Sequence, residues 1–503
     1  MSVGELWLIL GAGLGLGTMV MTRNPTLRIG VAGLTIMVLL LHGIAEGWRY
    51  QLAPAYLLVA ALGVWAAVGL LRPPGPARPT GLRRGAAAAA GGLGAVLLVV
   101  SAGLATALPV FALPAPTGPF PVGVRYVTAV DQQRREPFVV GAQQPRTLLV
   151  KLYYPASTSV APAPVRYFHG SSTLLRAFAH FQGLPDFALD HLALVVTHAT
   201  EQAPLSSARG SLPVILLSHG AGTSVEVQTT LGEDLASHGY LVAAIDHPYV
   251  SAATALPDHL VAAGEATAQF DTPEPAAPIS EIMADDARRV LQMLQDLNAG
   301  QHDPDFAGRV DLAAVGFVGH SVGGAVAYNL ASTDARIKAA VNLDGVVYMT
   351  PPEPAAVAPF LMLASEGGQV ESITSRRSLL EITAASAGEA MMPPEAEREA
   401  ALRFAQANVT GLAAVLAASD GLYTIAGCSH MAFTDVGLFF GVRWLREMVQ
   451  IGGQTDPGRC LVVSNAVTVA FFDHHLKHQD GLTLAALTDT YPELQHIPLA
   501  GER

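Results

Sequence analysis

The chain has 503 residues, 51% of them hydrophobic and 14% charged, with a formal net charge of -12. A phosphate backbone demands a basic face, so this balance excludes nucleic acid as a partner, and it is too apolar for a purely soluble protein. Two cysteines cannot build a disulfide framework, and no CxxC or Cys/His zinc spacing is present; Cys428 and Cys460 could pair in an oxidising compartment or stand as two buried thiols.

The apolar residues concentrate before residue 114, in runs over 6–21, 29–45, 55–71 and 86–108. Each approaches or exceeds the ~20 residues that cross a hydrocarbon core. The first has no basic n-region and three more follow it, which favours an anchor over a cleaved signal peptide. Four transmembrane helices over 1–113 are therefore expected. Arg23 and Arg28 follow the first run, and Arg72, Arg78, Arg83 and Arg84 follow the third. The loop between holds Arg49 offset by Glu46, and the N-terminus carries Glu5. The positive-inside rule puts the arginine-rich loops in the cytoplasm, and four spans then leave everything after Leu113 outside it. His42 and Glu46, beside Trp48 and Tyr50, read as an interfacial belt rather than a transport site, since no charged run threads several spans.

The stretch "LPAPTGPFPVG" carries a linker over 114–123, because proline and glycine at that density stop a helix. Beyond it, at 124–503, short apolar runs alternate with amphipathic stretches. Strands are expected over 146–155, 212–220, 240–248, 310–320, 337–345, 359–367 and 421–427, with helices over 284–298 and 323–332. Near-continuous apolar strands with crossover helices mean an α/β domain whose mostly parallel sheet is covered on both faces.

Within it, "VGFVGHSVGG" holds Gly319-His320-Ser321-Val322-Gly323. Gly-x-Ser-x-Gly arises by chance about 0.3 times in a chain of this length and composition, so the pentapeptide needs its context. A buried strand over 315–318, a tight turn over 319–323 and a helix from 324 supply it, and would lift the Ser321 hydroxyl at the carboxyl edge of the sheet. A serine needs a base. His430, in "GCSHMAFTD" after the strand 421–427, is the best placed; His219 and His247 end earlier strands and His320 is the variable residue of the elbow. For the acid that orients the base, Asp344 and Glu366 both follow strands at the right edge. An oxyanion hole needs two backbone amides, one from Val322 and one from Ala221 in "SHGAG". The run with His474, His475 and His478 reads as the last turn of a helix rather than a metal site.

The motifs "GPFPVG", "LYYP", "LLSHGAG", "AAIDHPY", "GHSVGGA", "NLDG" and "GCSHMAFTD" occur in the order found in the plasma-type platelet-activating factor acetylhydrolases and their bacterial relatives. The chain resembles that family over roughly 118–478. The resemblance implies an α/β-hydrolase fold, a serine nucleophile, no metal or organic cofactor, and a lipid or short-acyl ester substrate. It also implies Asp344 rather than Glu366 as the acid, and Ala221 and Val322 as oxyanion donors. Two departures bear on the substrate. Ala221 stands where the mammalian enzymes carry a larger residue, and Val322 replaces an aromatic. An added segment, 368–420, reads as helices that lid the site.

The expectation is a membrane-anchored serine ester hydrolase in a bacterial inner membrane, facing away from the cytoplasm. Alternatives are a polyester (cutinase-like) or xenobiotic carboxylesterase. An inert receptor or scaffold is a further reading, disfavoured because the serine, the histidine and the elbow glycines are all present.

Overall fold

A computed structural model of the chain describes residues 1–22, 24–71, 80–139, 141–157, 163–207, 210–262, 273–349, 357–378, 381–382, 395–449, 451–479 and 481–499, with backbone alone at 80–84, 273–277 and 396–397. It forms two compact units. One comprises Met1–Phe111, Asp190–Val195 and Phe439–Leu445, and the other Ala112–Leu189, Val196–Leu438 and Arg446–Arg503.

The first unit is built on helices α1 (Val3–Met21), α2 (Pro25–Ala45), α3 (Ala53–Leu71) and α4 (Thr80–Ala107). Each of these helices is long and apolar enough to cross a membrane. They start ahead of the apolar runs because the caps lie there. Ser2 and Glu5 form a capping box on α1, and Asn24 accepts from the amides of Thr26 and Leu27 with Pro25 at the first helical position of α2. Large apolar side chains such as Trp7, Leu57 and Val99 point outward, while Leu8, Ala12, Val59 and Leu62 pack inward. A polar cluster ties three helices together: Glu5 pairs with Arg49, Glu46 accepts from Gly4 N, and His42 bonds Glu46 at 3.1 Å and Tyr56 at 3.0 Å. Arg23, Arg72 and Arg78, used above for orientation, lie outside the described residues, as do the side chains of Arg83 and Arg84.

The second unit is organised by one eleven-stranded sheet. Its strands are β1 (Val122–Arg135), β2 (Pro145–Pro155), β3 (Pro164–Arg166), β4 (Val196–Glu201), β5 (Leu212–Ser218), β6 (Leu241–Asp246), β9 (Val310–His320), β10 (Ile337–Leu343), β11 (Phe360–Ala364), β12 (Gly421–Ile425) and β13 (Leu494–Ile497). They lie in the order β13-β12-β11-β10-β9-β5-β6-β2-β1-β4-β3, and β7 (Ala253–Ala255) and β8 (Leu260–Ala262) form a separate hairpin. From β6 to β12 the pairing is parallel; β2 and β13 flank that block antiparallel. Alternate residues feed two cores. Val214, Leu216 and Phe317 face one, with Val290, Leu294 and Val326. Ile215, Leu217 and Val318 face the other, with Leu235, Val467 and Phe471. This is the mostly parallel, doubly covered sheet that the sequence pattern predicts, and the α/β-hydrolase fold that the resemblance implies.

The expected strands 212–220, 240–248, 337–345, 359–367 and 421–427 all run past the observed ends. The residues past the carboxyl ends, among them His219, His247, Asp344 and Glu366, form the loops at that edge, where turns such as Asp344 at φ 57° break the pairing. In the added segment, expected to be helical, α8 (Gly368–Ser375; α5 to α7 are Thr229–Ser237, Pro273–Asn298 and Val322–Thr333) ends at Arg376 in the left-handed region, which breaks the helix there. Residues 379–380 and 383–394 of that segment lie outside the described residues. Helix α9 (Glu395–Ala418) buries Val409, Leu412, Val415 and Leu416 in the core beside the sheet, so this part of the proposed lid is a covering helix. It also has the length and apolarity of a membrane span, as Arg398–Ala418, but its buried face already packs on the sheet. His474 and His475 occupy the last turn of α10 (Pro457–Lys477), with His475 bonded to Asp420 at 3.0 Å.

Candidate active site

Strand β5 connects to β6 on one side, and β9 continues to β10 on the other. The chain therefore reverses direction between β5 and β9, and the crevice outside their carboxyl ends is where such sheets bind ligands. The loop after β5 carries Ala221, and β9 ends at Ser321.

The elbow is sharper than the predicted five-residue turn. Strand β9 runs to His320, α7 begins at Val322, and Ser321 alone separates them, at φ 56° and ψ -122°. A non-glycine residue is strained there. The surrounding backbone holds it: Ser321 N donates to Leu343 O at 3.0 Å, and its carbonyl accepts from Gly324 N at 2.9 Å. Strand and helix cross so closely that a Cβ on Gly319 would lie 2.1 Å from Gly323 O, and one on Gly323 would lie 2.5 Å from Ser218 O. Only glycine fits either position. Among the described residues the Ser321 hydroxyl makes no hydrogen bond. Catalytic hydrogen bonds often form or tighten only around a substrate.

Asp344 directly follows Leu343, so the Ser321–Leu343 bond sets the carboxylate beside the elbow. Its side chain is 1% exposed. Oδ1 accepts from Ser365 N at 2.8 Å, while Oδ2 accepts from Ser365 Oγ at 2.6 Å and from His430 Nδ1 at 2.7 Å. A carboxylate accepts, so Nδ1 carries the proton and the lone pair of His430 lies on Nε2, the state a general base requires. Asn342 bonds both the amide and the carbonyl of Gly345, which pins the turn that carries Asp344. Cys428, two residues before His430, is in a disulfide with Cys460 on α10. Glu366, the other candidate acid, accepts from Gly427 N at 3.0 Å; no hydrogen bond joins it to His430 among the described residues.

The amides of Val322 and Ala221 take no acceptor among the described residues. Val322 is the first residue of α7, where the amide has no intrahelical partner. The Gly220–Ala221 peptide is oriented through its carbonyl. Gly220 O accepts from Thr223 N at 3.2 Å, Thr223 Oγ1 at 2.7 Å and His219 Nδ1 at 2.8 Å. Across a trans peptide the N–H points opposite to the C=O, so the Ala221 amide is turned the other way.

His219 and His247, set aside as bases, are both fully buried under this loop. His247 N donates to His219 Nε2 at 3.1 Å, and the His247 ring bridges Ser218 Oγ at 3.0 Å and Asp286 at 2.9 Å. Asp286 is further bound by Arg146 and Arg134. Burial lowers His247 to about 4, so it is a neutral strut. Burial alone would raise Asp286, but the Arg146 charge holds it well below the usual carboxylate range. The sequence reading missed Ser365, Asn342, Thr223 and this strut. For Ser365 and Asn342 the one available signal was position, a hydroxyl or amide within two residues of a strand's carboxyl end.

A family profile described as platelet-activating factor acetylhydrolase, isoform II, matches residues 106–489. The chain belongs to that family. Among curated members and relatives, it is 25% identical over 262 residues to a probable 1-alkyl-2-acetylglycerophosphocholine esterase from Arthroderma benhamiae, covering 50% of this chain and 63% of that one. It is 26% identical over 219 residues to platelet-activating factor acetylhydrolase from Cavia porcellus, covering 39% and 49%. The match therefore spans about half to two thirds of those relatives' length. A solved ferulic acid esterase from Streptomyces cinnamoneus aligns with a TM-score of 0.54 at 26% identity, over 78% of this chain and all of that one.

Proposed function

We propose that this protein is a membrane-anchored serine ester hydrolase that cleaves lipid or short-acyl carboxylic esters through an acyl-enzyme. The observation that carries the reading is the Asp344–His430 pair, joined at 2.7 Å through Nδ1, beside a strained Ser321 at the head of α7. Ser321 Oγ attacks the ester carbonyl while His430 Nε2 takes its proton, forming a tetrahedral intermediate whose oxyanion the Val322 and Ala221 amides bind. His430 returns the proton to the departing alcohol. Water then attacks the acyl-enzyme with His430 again as base, and the carboxylic acid leaves. Asp344 keeps the imidazole in the accepting tautomer and stabilises the imidazolium. Every proton is carried by these side chains and water, so no cofactor is needed for this sequence of steps.

Family membership supports a lipid-type ester, and anchoring would hold the site mouth near lipid. The likeness to a ferulic acid esterase favours a second reading on the same machinery, an aryl or xenobiotic ester. The arginine pattern of the first unit and the Cys428–Cys460 disulfide support a catalytic unit outside the cytoplasm of a bacterial inner membrane.

The full chain in detergent is expected to label with a fluorophosphonate and to hydrolyse short p-nitrophenyl esters. If Ser321→Ala labels as the wild type does, the assignment is wrong. Rates across acyl esters of graded length, a short-acyl phospholipid and a methyl hydroxycinnamate separate the two substrate readings.

A further inference from the structure

His320 is the unassigned residue of the elbow, and the geometry gives it work. It ends β9, is 1% exposed, and directly precedes Ser321. Its Nε2 lies 2.9 Å from the carbonyl oxygen of His430. A carbonyl only accepts, so Nε2 bears the proton. The two imidazole rings sit 4.6 Å apart, centroid to centroid, tilted by 38°. Nδ1 of His320 has no hydrogen-bond partner among the described residues and faces Gly220, where a Cβ would approach it to 2.9 Å.

We propose that His320 is a positioning residue for the general base, tying the backbone of His430 to the strand that presents Ser321. The inference rests on the reading of Ser321 and His430 as nucleophile and base. Two points set the His430 imidazole in space: its Nδ1, held by Asp344, and its own backbone. The ring is almost half exposed, with a side-chain exposure of 45%, and the His320 ring lies against it. The bond from His320 supplies the second point, and it originates one residue from the nucleophile. A shift of about 1 Å between reacting groups costs on the order of 100-fold in rate, so this tie bears directly on turnover.

The residue type matters too. A lysine or arginine would also donate to the carbonyl, but it would place a permanent cation against the imidazolium that forms on His430. Burial, and then the neighbouring His430 charge, hold His320 well below the usual histidine range, so it donates while remaining neutral.

The test compares His320→Gln with His320→Met in the full chain in detergent. The two side chains are of similar length, and glutamine keeps a terminal N–H donor that methionine lacks. His320→Phe, which keeps the ring and its burial, serves as a second donor-free variant should methionine disrupt folding. The donor-free variant is expected to lower kcat for p-nitrophenyl butyrate about tenfold or more, with KM changed less than about twofold and fluorophosphonate labelling slowed in parallel. Glutamine should restore kcat to within about threefold of the wild type. The proposal is overturned if the donor-free variant turns over like the wild type, if glutamine and methionine lose kcat equally, or if the loss lies in KM. Ser321→Ala is measured alongside. Residual turnover there would sink the nucleophile assignment itself, whereas an inactive Ser321→Ala beside wild-type-like His320 variants would sink only this inference.

Discussion

Replacing Asp344 by asparagine is the most informative single change at this site, because the structure dictates how the amide must sit. Ser365 N points at Oδ1 from 2.8 Å, and a backbone N–H cannot become an acceptor. The asparagine oxygen therefore takes the Oδ1 place, and its NH2 takes the Oδ2 place, facing His430 Nδ1. An NH2 there donates, so His430 must put its lone pair on Nδ1 and its proton on Nε2. In that tautomer the ring cannot accept the Ser321 proton. The corresponding change in a serine protease lowers kcat by about 10⁴, equivalent to ~5.5 kcal/mol at 1.36 kcal/mol per tenfold. A loss of about 10³ to 10⁴ in kcat is expected here, with KM moving far less. Glu366→Gln serves as the comparison. Its carboxylate only accepts from Gly427 N, and glutamine keeps an accepting oxygen, so kcat should stay within about threefold. The assay is steady-state hydrolysis of p-nitrophenyl butyrate, with a fluorophosphonate titration counting competent sites. If Asp344→Asn retains more than about a tenth of wild-type kcat, or if Glu366→Gln is the more damaging change, the tautomer argument is refuted.

Gly319→Ala should disable the elbow. The new methyl would meet Gly323 O at 2.1 Å, a backbone atom with nowhere to go, so both melting temperature and labelling should fall sharply; wild-type labelling would refute the close crossing. Asp435 offers a test by pH. It is fully buried, its Oδ2 accepts from Tyr167 OH at 3.2 Å, and burial raises it to about 7. A carboxyl raised on folding stabilises the native state while both states are protonated. That stability is lost as pH climbs from the unfolded value near 4 to about 7, by at most ~4 kcal/mol. Asp435→Asn should therefore gain melting temperature over the wild type progressively between pH 4 and 7 and hold a constant difference above it. A difference independent of pH would contradict the burial argument.

Much of this protein follows from its sequence taken alone. Apolar runs near 20 residues define helices that can cross a membrane, because length and transfer free energy are local properties. Near-continuous apolar strands between amphipathic helices define a doubly covered parallel sheet, and the glycines around Ser321 mark a turn no larger residues could make. The tertiary structure decided the rest. Both Asp344 and Glu366 follow strands at the same edge, and nothing in their neighbouring residues separates them by physics. What the fold adds is a hydrogen bond from His430 to Asp344, 86 positions earlier in the chain, and this contact supports the proposal of Asp344 as the acid. Ser365 and His320 were opaque for the same reason, since a lone hydroxyl or imidazole acquires a role from what lies across the sheet. Strand ends were overestimated because the chain stays buried past its last paired residue, at His219, His247 and Asp344, whereas pairing stops where one residue, such as Asp344, turns to positive φ. Segments 190–195 and 439–445 join the helical unit although they lie far along the chain, a grouping set by contacts between residues distant in sequence.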